Sequence, residues 1–175
     1  MSAVDDDFIS ANQRLMGCDV LDVDAMRLMY RLEMAGETFY EKLAAGVDND
    51  EAAALLRKNG REERGHAERI RKALGHKLGR DYKPEGADLV PLKVELPESI
   101  PVEIFPAIAA GEVAGDAGYQ AWADKEPDPE VEKLLRRNGR EETKHSERVN
   151  EAFAILQAAS SGASSTSTDS SAPSA

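Results

Sequence analysis

Cysteine is almost absent from the sequence, since Cys18 is the only one among 175 residues. A single cysteine excludes an internal disulfide and every paired-cysteine site, including structural zinc, a redox dithiol and a rubredoxin-type iron centre. Aromatic residues make up only 5% of the chain, and no apolar run approaches the roughly 18 residues of a membrane span. Any metal must therefore be held by histidine and carboxylate side chains, and we expect no membrane association.

Basic residues are also in the minority, because 33 Asp and Glu stand against 22 Lys and Arg, for a formal net charge of -11. No block of Lys or Arg offers a local exception, so nucleic-acid binding is not expected. The first ten residues, MSAVDDDFIS, are acidic where a secretory signal would need a basic start and an apolar run. We therefore expect a cytoplasmic protein with one globular domain.

Composition divides the chain into three segments. Residues 1–21 form an N-terminal arm with room for a short helix, residues 22–157 form the domain, and residues 158–175 form a Ser/Ala-rich tail. The tail has almost nothing apolar larger than alanine, so we expect it to be disordered. Residues 76–101 hold four prolines and no helical period, which predicts a long connection that travels the length of the helices.

The two halves of the domain are related by an internal repeat at an offset of 79 residues. The segment NGREERGHAERIRKAL at 59–74 matches NGREETKHSERVNEAF at 138–153 in nine of sixteen positions, and EMAGETFY at 33–40 aligns with EVAGDAGY at 112–119. The sequence is therefore predicted to be a duplicated helical hairpin.

Apolar residues recur with a helical period in both halves, and strand signals are weak. We expect an all-α fold, with helices over 22–46, 49–75, 102–124 and 129–157. Asp48 with Glu51 three residues later predicts a helix start, as does Asp128 before Pro129.

Six acidic and imidazole side chains fall on the inward faces of these helices. The first helix of each hairpin contributes one glutamate, Glu33 and then Glu112 at the offset of 79. The second helix contributes a Glu and a His three residues apart on one face, Glu63 with His66 and Glu142 with His145. The midpoints of 33 with 63 and of 112 with 142 both fall in predicted turns, so all six side chains should meet in one layer.

Four buried carboxylates need positive charge nearby, because desolvation and mutual repulsion would otherwise be very costly. Two histidines supply at most two charges, whereas two divalent metals supply four. A carboxylate-rich set with one imidazole per metal suits iron, and manganese as an alternative. The spacing thus predicts a site for two metal ions.

Further residues could surround these ligands: Tyr40, Tyr119, Glu37, Asp116, Asn59 and Asn138. The tyrosines are either plain core residues or hydrogen-bond donors to ligand carboxylates. The two acids are either additional groups at the site or solvent-facing, with the second favoured, and the asparagines are expected to bridge helices. The remaining charges of the repeat are expected to form solvated ion pairs: Arg61, Arg69, Arg140, Arg148, Glu68 and Glu147.

At these residues the sequence resembles the rubrerythrin and ferritin-like di-iron superfamily, specifically a rubrerythrin-type domain, over about residues 22–157. The resemblance implies a ferritin-like four-helix bundle with a long crossover and two irons bridged by Glu63 and Glu142. It implies terminal ligation by Glu33 with His66 and by Glu112 with His145. Peroxide-reducing members usually carry another Glu three residues after the third-helix ligand and often a rubredoxin module, but that position is Gly115 here and the module is missing.

The resemblance implies a di-iron oxidoreductase that reacts with hydrogen peroxide or dioxygen, takes electrons from an external donor and serves oxidative-stress defence or iron homeostasis. We expect a homodimer or a larger homo-oligomer. Two alternatives remain open, a ferroxidase that stores or delivers iron and a metal-stabilised scaffold without catalysis.

Overall fold

The computed structural model describes residues 7–165, and within that range the chain forms helices and no β-strand. The all-α prediction is therefore confirmed. The helices are α1 (Phe8–Met16), α2 (Val23–Ala45), α3 (Asp50–Leu78), α4 (Phe105–Asp124) and α5 (Pro129–Ser165). Short 3-10 turns cover Gly86–Leu89 and Val102–Ile104.

Side-chain caps fix the starts of the second helix of each hairpin. Asp128 accepts a hydrogen bond of 2.9 Å from a backbone N–H in the first turn of α5, as predicted. In α3 the prediction was one residue early, because Asn49 and not Asp48 accepts from the backbone N–H of Ala52. Asn49 has the extended backbone that an N-cap requires, and the helix begins at the next residue.

The helices pack as two antiparallel hairpins, α2 on α3 and α4 on α5, which are joined by contacts between α3 and α5. Their turns lie at opposite ends of the fold. Lys77 near the end of α3 lies 2.6 Å from Glu126 in the turn between α4 and α5. The chain must therefore cross from one end of the fold to the other before α4 can begin.

The predicted long connection makes this crossing along α2. Three hydrogen bonds mark its path in chain order, from Arg31 to the carbonyl of Val90, from Lys42 to the carbonyl of Val94, and from the N–H of Ile100 to the carbonyl of Gly46. Because these partners advance from Arg31 within α2 to Gly46 just after its last residue, the connection spans most of the helix.

Apolar residues form two separate clusters, one at each end of the fold. Ile70, Leu74 and Leu135 belong to the first, and Leu43 and Leu56 to the second. The buried polar residues in the described part of the chain are Glu33, Asn59, Glu63, His66, Asn138, Glu142, His145 and Ser146. Most of them come from the middle of their helices, so hydrophobic core encloses a polar layer from above and below.

The N-terminal arm forms the short helix α1, which packs on α2. Leu15 is completely buried, and the ring of Phe8 stacks on Phe39 with centroids 5.0 Å apart. Beyond the helix, the carbonyl of Cys18 accepts a hydrogen bond of 2.8 Å from the indole N–H of Trp122. The arm is therefore tied to both hairpins.

The last helix does not end before the predicted tail but continues to Ser165. Residues 158–165 are thus helical where disorder was predicted, and residues 166–175 lie outside the described part of the chain. Extending an existing helix by one residue costs far less than starting one. The hydroxyls of Ser160 and Ser161 also donate hydrogen bonds to carbonyls four residues earlier, at 2.9 and 3.0 Å.

Candidate metal centre

All six side chains predicted as ligands come together in the polar layer. They form two overlapping groups, in each of which one ligand atom per residue lies within 4.8 Å of the others. The first group is Glu33, Glu63, His66 and Glu142, and the second group is Glu63, Glu112, Glu142 and His145. Each group could hold a metal ion, and Glu63 and Glu142 belong to both.

The two shared glutamates divide their oxygens between the histidines. Glu63 presents Oε2 to Nδ1 of His66 at 3.4 Å and Oε1 to Nδ1 of His145 at 3.1 Å. Glu142 presents Oε1 to the first histidine and Oε2 to the second, both at 3.1 Å. The unshared Glu33 and Glu112 each approach one histidine, at 3.4 and 3.9 Å. This is the arrangement in which one carboxylate can contact two ions at once.

The histidine nitrogens that face the carboxylates are unsatisfied. Within the described part of the chain, Nδ1 and Nε2 of His66 and Nδ1 of His145 are buried and have no hydrogen-bond partner. The two rings stack with centroids 5.1 Å apart and planes 11° apart. Buried polar atoms nearly always have a partner, so unpaired Nδ1 atoms of both histidines among carboxylates fit the donor set of a metal site.

Protons can balance the charges of this cluster when metal does not. Burial, with the charges of Glu63 and Glu142, raises the pKa of Glu33 to about 8. Burial and the same two charges also raise the pKa of Glu112 well above its usual value. Glu33 therefore holds a proton at neutral pH, and the pKa of Glu112 is shifted in the same direction.

The pKa shifts of the shared glutamates and of the histidines favour the charged forms of these groups. Burial alone would raise the pKa of Glu63, but contacts with both histidines lower it, and the pKa of Glu142 is lowered as well. Burial would lower the pKa of His145, but contacts with these two carboxylates raise it to about 10, and the pKa of His66 is also raised. When both unshared glutamates and both histidines hold protons, the two remaining carboxylates and the two imidazolium rings cancel. Two divalent ions could then replace these four protons at the same net charge.

The tyrosines are buried in the core and also bind the unshared glutamates. The hydroxyl of Tyr40 donates a hydrogen bond to Glu112, and the hydroxyl of Tyr119 donates one to Glu33. Each tyrosine thus reaches from one hairpin to the glutamate of the other. These bonds fix the orientation of the two carboxylates that have only one histidine neighbour each.

The asparagines bridge α3 and α5, as predicted. The side-chain amide of Asn59 donates to the carbonyl of His145 at 3.1 Å, and that of Asn138 donates to the carbonyl of His66 at 3.3 Å. Each asparagine therefore holds the backbone of the histidine on the opposite helix.

Glu37 and Asp116 do not belong to the cluster. Glu37 lies 2.9 Å from a guanidinium nitrogen of Arg64, and Asp116 accepts hydrogen bonds from Gln120 and Thr143. A step of four residues turns a helix by about 400°. Glu37 therefore points about 40° away from the direction of Glu33, and Asp116 about 40° away from that of Glu112. The solvent-facing alternative is the correct one.

The prediction of solvated ion pairs was wrong for Arg148 and Arg69. Nε2 of His145 lies 3.2 Å from Oε2 of Glu62, and the same oxygen accepts a hydrogen bond of 2.8 Å from Arg148. The side chain of Arg148 is only 13% exposed. Because a carboxylate can only accept, Nε2 must donate, which leaves the lone pair of a neutral imidazole on Nδ1.

The other histidine has the equivalent neighbours from the repeat. Nε2 of His66 lies 3.2 Å from Oε2 of Glu141, and Arg69 pairs with the same carboxylate. The arginine side chain is 12% exposed. Glu62 and Arg69 recur in the second half of the repeat as Glu141 and Arg148. This recurrence is a sequence signal for a role at the site, but helical spacing alone does not distinguish these residues from ordinary surface charges.

Replacing Arg148 with alanine should weaken metal binding about 10- to 100-fold, because Glu62 loses the cation that holds it against His145. Competition with a chelator of known affinity measures the change. Arg140→Ala, which removes an exposed arginine of the same helix, is the matched control and should bind as the wild type does. Equal losses in both variants would mean that the arginine acts only through overall charge.

Comparison of the chain with protein-family models, curated proteins and solved structures found no significant match. Among residues 7–165, no helix combines the length and the apolar composition that a bilayer crossing requires. Fold and site together define an all-helical protein with a buried glutamate and histidine cluster that could hold a metal ion.

Proposed function

We propose that this protein is a di-iron oxidoreductase of rubrerythrin type, with a ferritin-like four-helix bundle that oxidises bound Fe(II) with hydrogen peroxide or dioxygen. The observation that carries the proposal is the pair of overlapping ligand groups that share Glu63 and Glu142. A hard, carboxylate-rich set with one imidazole in each group favours iron, and manganese next, over thiolate-seeking metals.

The six ligands would divide between the ions as the two groups do. Glu63 and Glu142 would bridge, while Glu33 with His66 and Glu112 with His145 would be terminal. Bound Fe(II) supplies the electrons that reduce the oxidant, and an external donor of electrons must restore it.

The protein contributes position, charge and protons. Glu62 binds Nε2 of His145 and so turns its Nδ1 toward the carboxylates, and Glu141 lies at the equivalent place beside His66. The tyrosine hydroxyls hold the unshared glutamates. Reduction of peroxide or dioxygen to water consumes protons. Tyr40 and Tyr119 line the cavity beside the cluster, and each hydroxyl carries a proton that it donates to an unshared glutamate.

The expected reaction is oxidation of anaerobically loaded Fe(II) protein by hydrogen peroxide at least as fast as by dioxygen. Stopped-flow absorbance with each oxidant, followed by iron counting after repeated cycles, tests this. No more than about two irons per chain should be retained, since the site has two ligand groups. The Glu37→Gln variant is a control that should react as the wild type does.

Two outcomes would overturn the proposal. Much faster oxidation by dioxygen, with iron accumulating far beyond two per chain and a large cage in light scattering, would establish iron storage. Bound iron that does not turn over with peroxide or dioxygen and an electron donor would establish a metal-stabilised scaffold. The proposed enzyme is a homodimer or a larger homo-oligomer.

A further inference from the structure

The cluster has two unlike sides. Toward α3 and α5 it is closed by the stacked histidine rings and by the ion pairs of Glu62 and Glu141. Toward α2 and α4 it adjoins a cavity of about 140 Å³. The apolar wall of this cavity includes Phe8, Met16, Met29, Phe39, Ile108 and Trp122, and its inner end is formed by the four glutamates of the cluster.

Helix α1 forms the outer wall and has no counterpart in the repeat. Phe8, Asn12 and Met16 line the cavity from one face of this helix, at a spacing of four residues. The stacking of Phe8 on Phe39 and the hydrogen bond from Trp122 hold α1 in place. The cavity is therefore bounded by α1 as well as by the two hairpins.

Two glycines at equivalent repeat positions keep the inner end open. A Cβ at Gly36 would lie 2.9 Å from Cγ of Glu63, which is too close for any side chain. A Cβ at Gly115 would lie 3.6 Å from Cγ of Glu142, an ordinary contact. A side chain at position 115 would thus fit sterically at its base but would take up the space of the cavity.

The size and the lining of the cavity define the molecule that it suits. Water has a share of only about 30 Å³ in the liquid, and peroxide and dioxygen have two heavy atoms each, so the cavity is much larger than either oxidant requires. An engineered apolar cavity of about 150 Å³ in another protein stays dry and binds benzene. None of the lining residues, all of them in the described part of the chain, is a Lys, Arg or His that could pair with an anion.

We propose that this cavity is a binding site for one small, uncharged, apolar molecule, up to about the size of benzene, held beside the candidate metal ions. The apolar wall from α1, α2 and α4 provides the contact surface, and the lining offers no cation that would hold an anion. This binding goes beyond the proposed reaction, and it depends neither on the oxidant nor on turnover.

Isothermal titration calorimetry of the full chain as purified, with benzene as the probe, tests the proposal. The wild type should bind one benzene per chain with a submillimolar dissociation constant. Gly115→Leu should weaken binding at least tenfold by filling the space, and the milder Gly115→Ala should weaken it severalfold. Gly65→Ala is the matched control, because its Cβ is also in ordinary contact at 3.6 Å but lies on α3 outside the cavity.

Three results would overturn the proposal. The wild type could fail to bind benzene, or the Gly115 variants could bind it as tightly as Gly65→Ala does, which would place the site elsewhere. Tighter binding of benzoate than of benzene would show that the cavity selects an anion and that the proposed ligand class is wrong.

Discussion

Removing the metal should reverse the direction in which pH changes the thermal stability of this protein. In the metal-free protein the pKa values of Glu33 and His145 are raised to about 8 and about 10. A group with a raised pKa stabilises the fold while it holds its proton, and that stabilisation is lost as the pH rises through the folded-state value. We expect the metal-free thermal midpoint to fall by at least about 5 °C between about pH 5 and pH 9.

The metal-loaded protein should behave in the opposite way. Metal binds the deprotonated ligands, so its affinity and its contribution to stability rise with pH. The gap between the two midpoints should therefore widen as the pH increases. Scanning calorimetry of both forms, in buffers of equal ionic strength, measures it.

Glu33→Gln provides the control for this experiment. Glutamine does not titrate, so the metal-free variant should lose part of the slope between pH 5 and 8 while remaining folded. A metal-free midpoint that stays constant or rises over this range in the wild type would contradict a buried, proton-holding cluster.

Replacing either shared glutamate should have the largest effect on metal content. Glu63 and Glu142 each belong to both ligand groups. Glu63→Ala or Glu142→Ala therefore damages both groups, and we expect well under two, and at most about one, weakly held metal per chain. Metal analysis after equilibrium dialysis against a weak chelator measures this.

The unshared glutamates provide a graded comparison. Glu33→Ala or Glu112→Ala damages only one group, so about one metal per chain should remain tightly bound. Glu37→Ala removes an acid of the same helix as Glu33 that pairs with Arg64 instead, and it should keep the full metal content. Retention of two tightly bound metals by both Glu63→Ala and Glu142→Ala would contradict the assignment of the six ligands.

The position of the site along the helices could be predicted from the sequence, because the repeat and the hairpin turns together determine which residues lie at the same height. Side chains at 33 and 63, or at 112 and 142, can meet only if the chain turns midway between them, and it does so at residues 46–49 and 125–128. Helical spacing then brought His66 and His145 to the same layer. The connection between the hairpins followed from its prolines and its length.

The surroundings of the site depend on contacts between elements that no single helix pattern contains. Glu62 lies next to Glu63 in the chain, yet its partners His145 and Arg148 are on the other hairpin. Spacing within one helix could not distinguish this acid from a solvated one.

The cavity could not be predicted for a related reason. It depends on where α1 docks, and α1 is a nine-residue helix outside the repeat. Its docking residues, such as Phe8 and Leu15, are too few to give a clear helical period. In the sequence, Gly115 stands out only because a glutamate is missing there. The space that it leaves beside Glu142 is visible only once the helices are packed.

Metal analysis of protein purified without oxygen tests the central claim most directly. The two overlapping groups predict about two iron ions per chain, or two manganese ions if manganese is the native metal. The count should be unchanged by dialysis at neutral pH and should be lost on acidification, when protons reoccupy the ligands. A preparation that holds less than about one metal per chain, even after anaerobic incubation with Fe(II), would contradict a binuclear metal site.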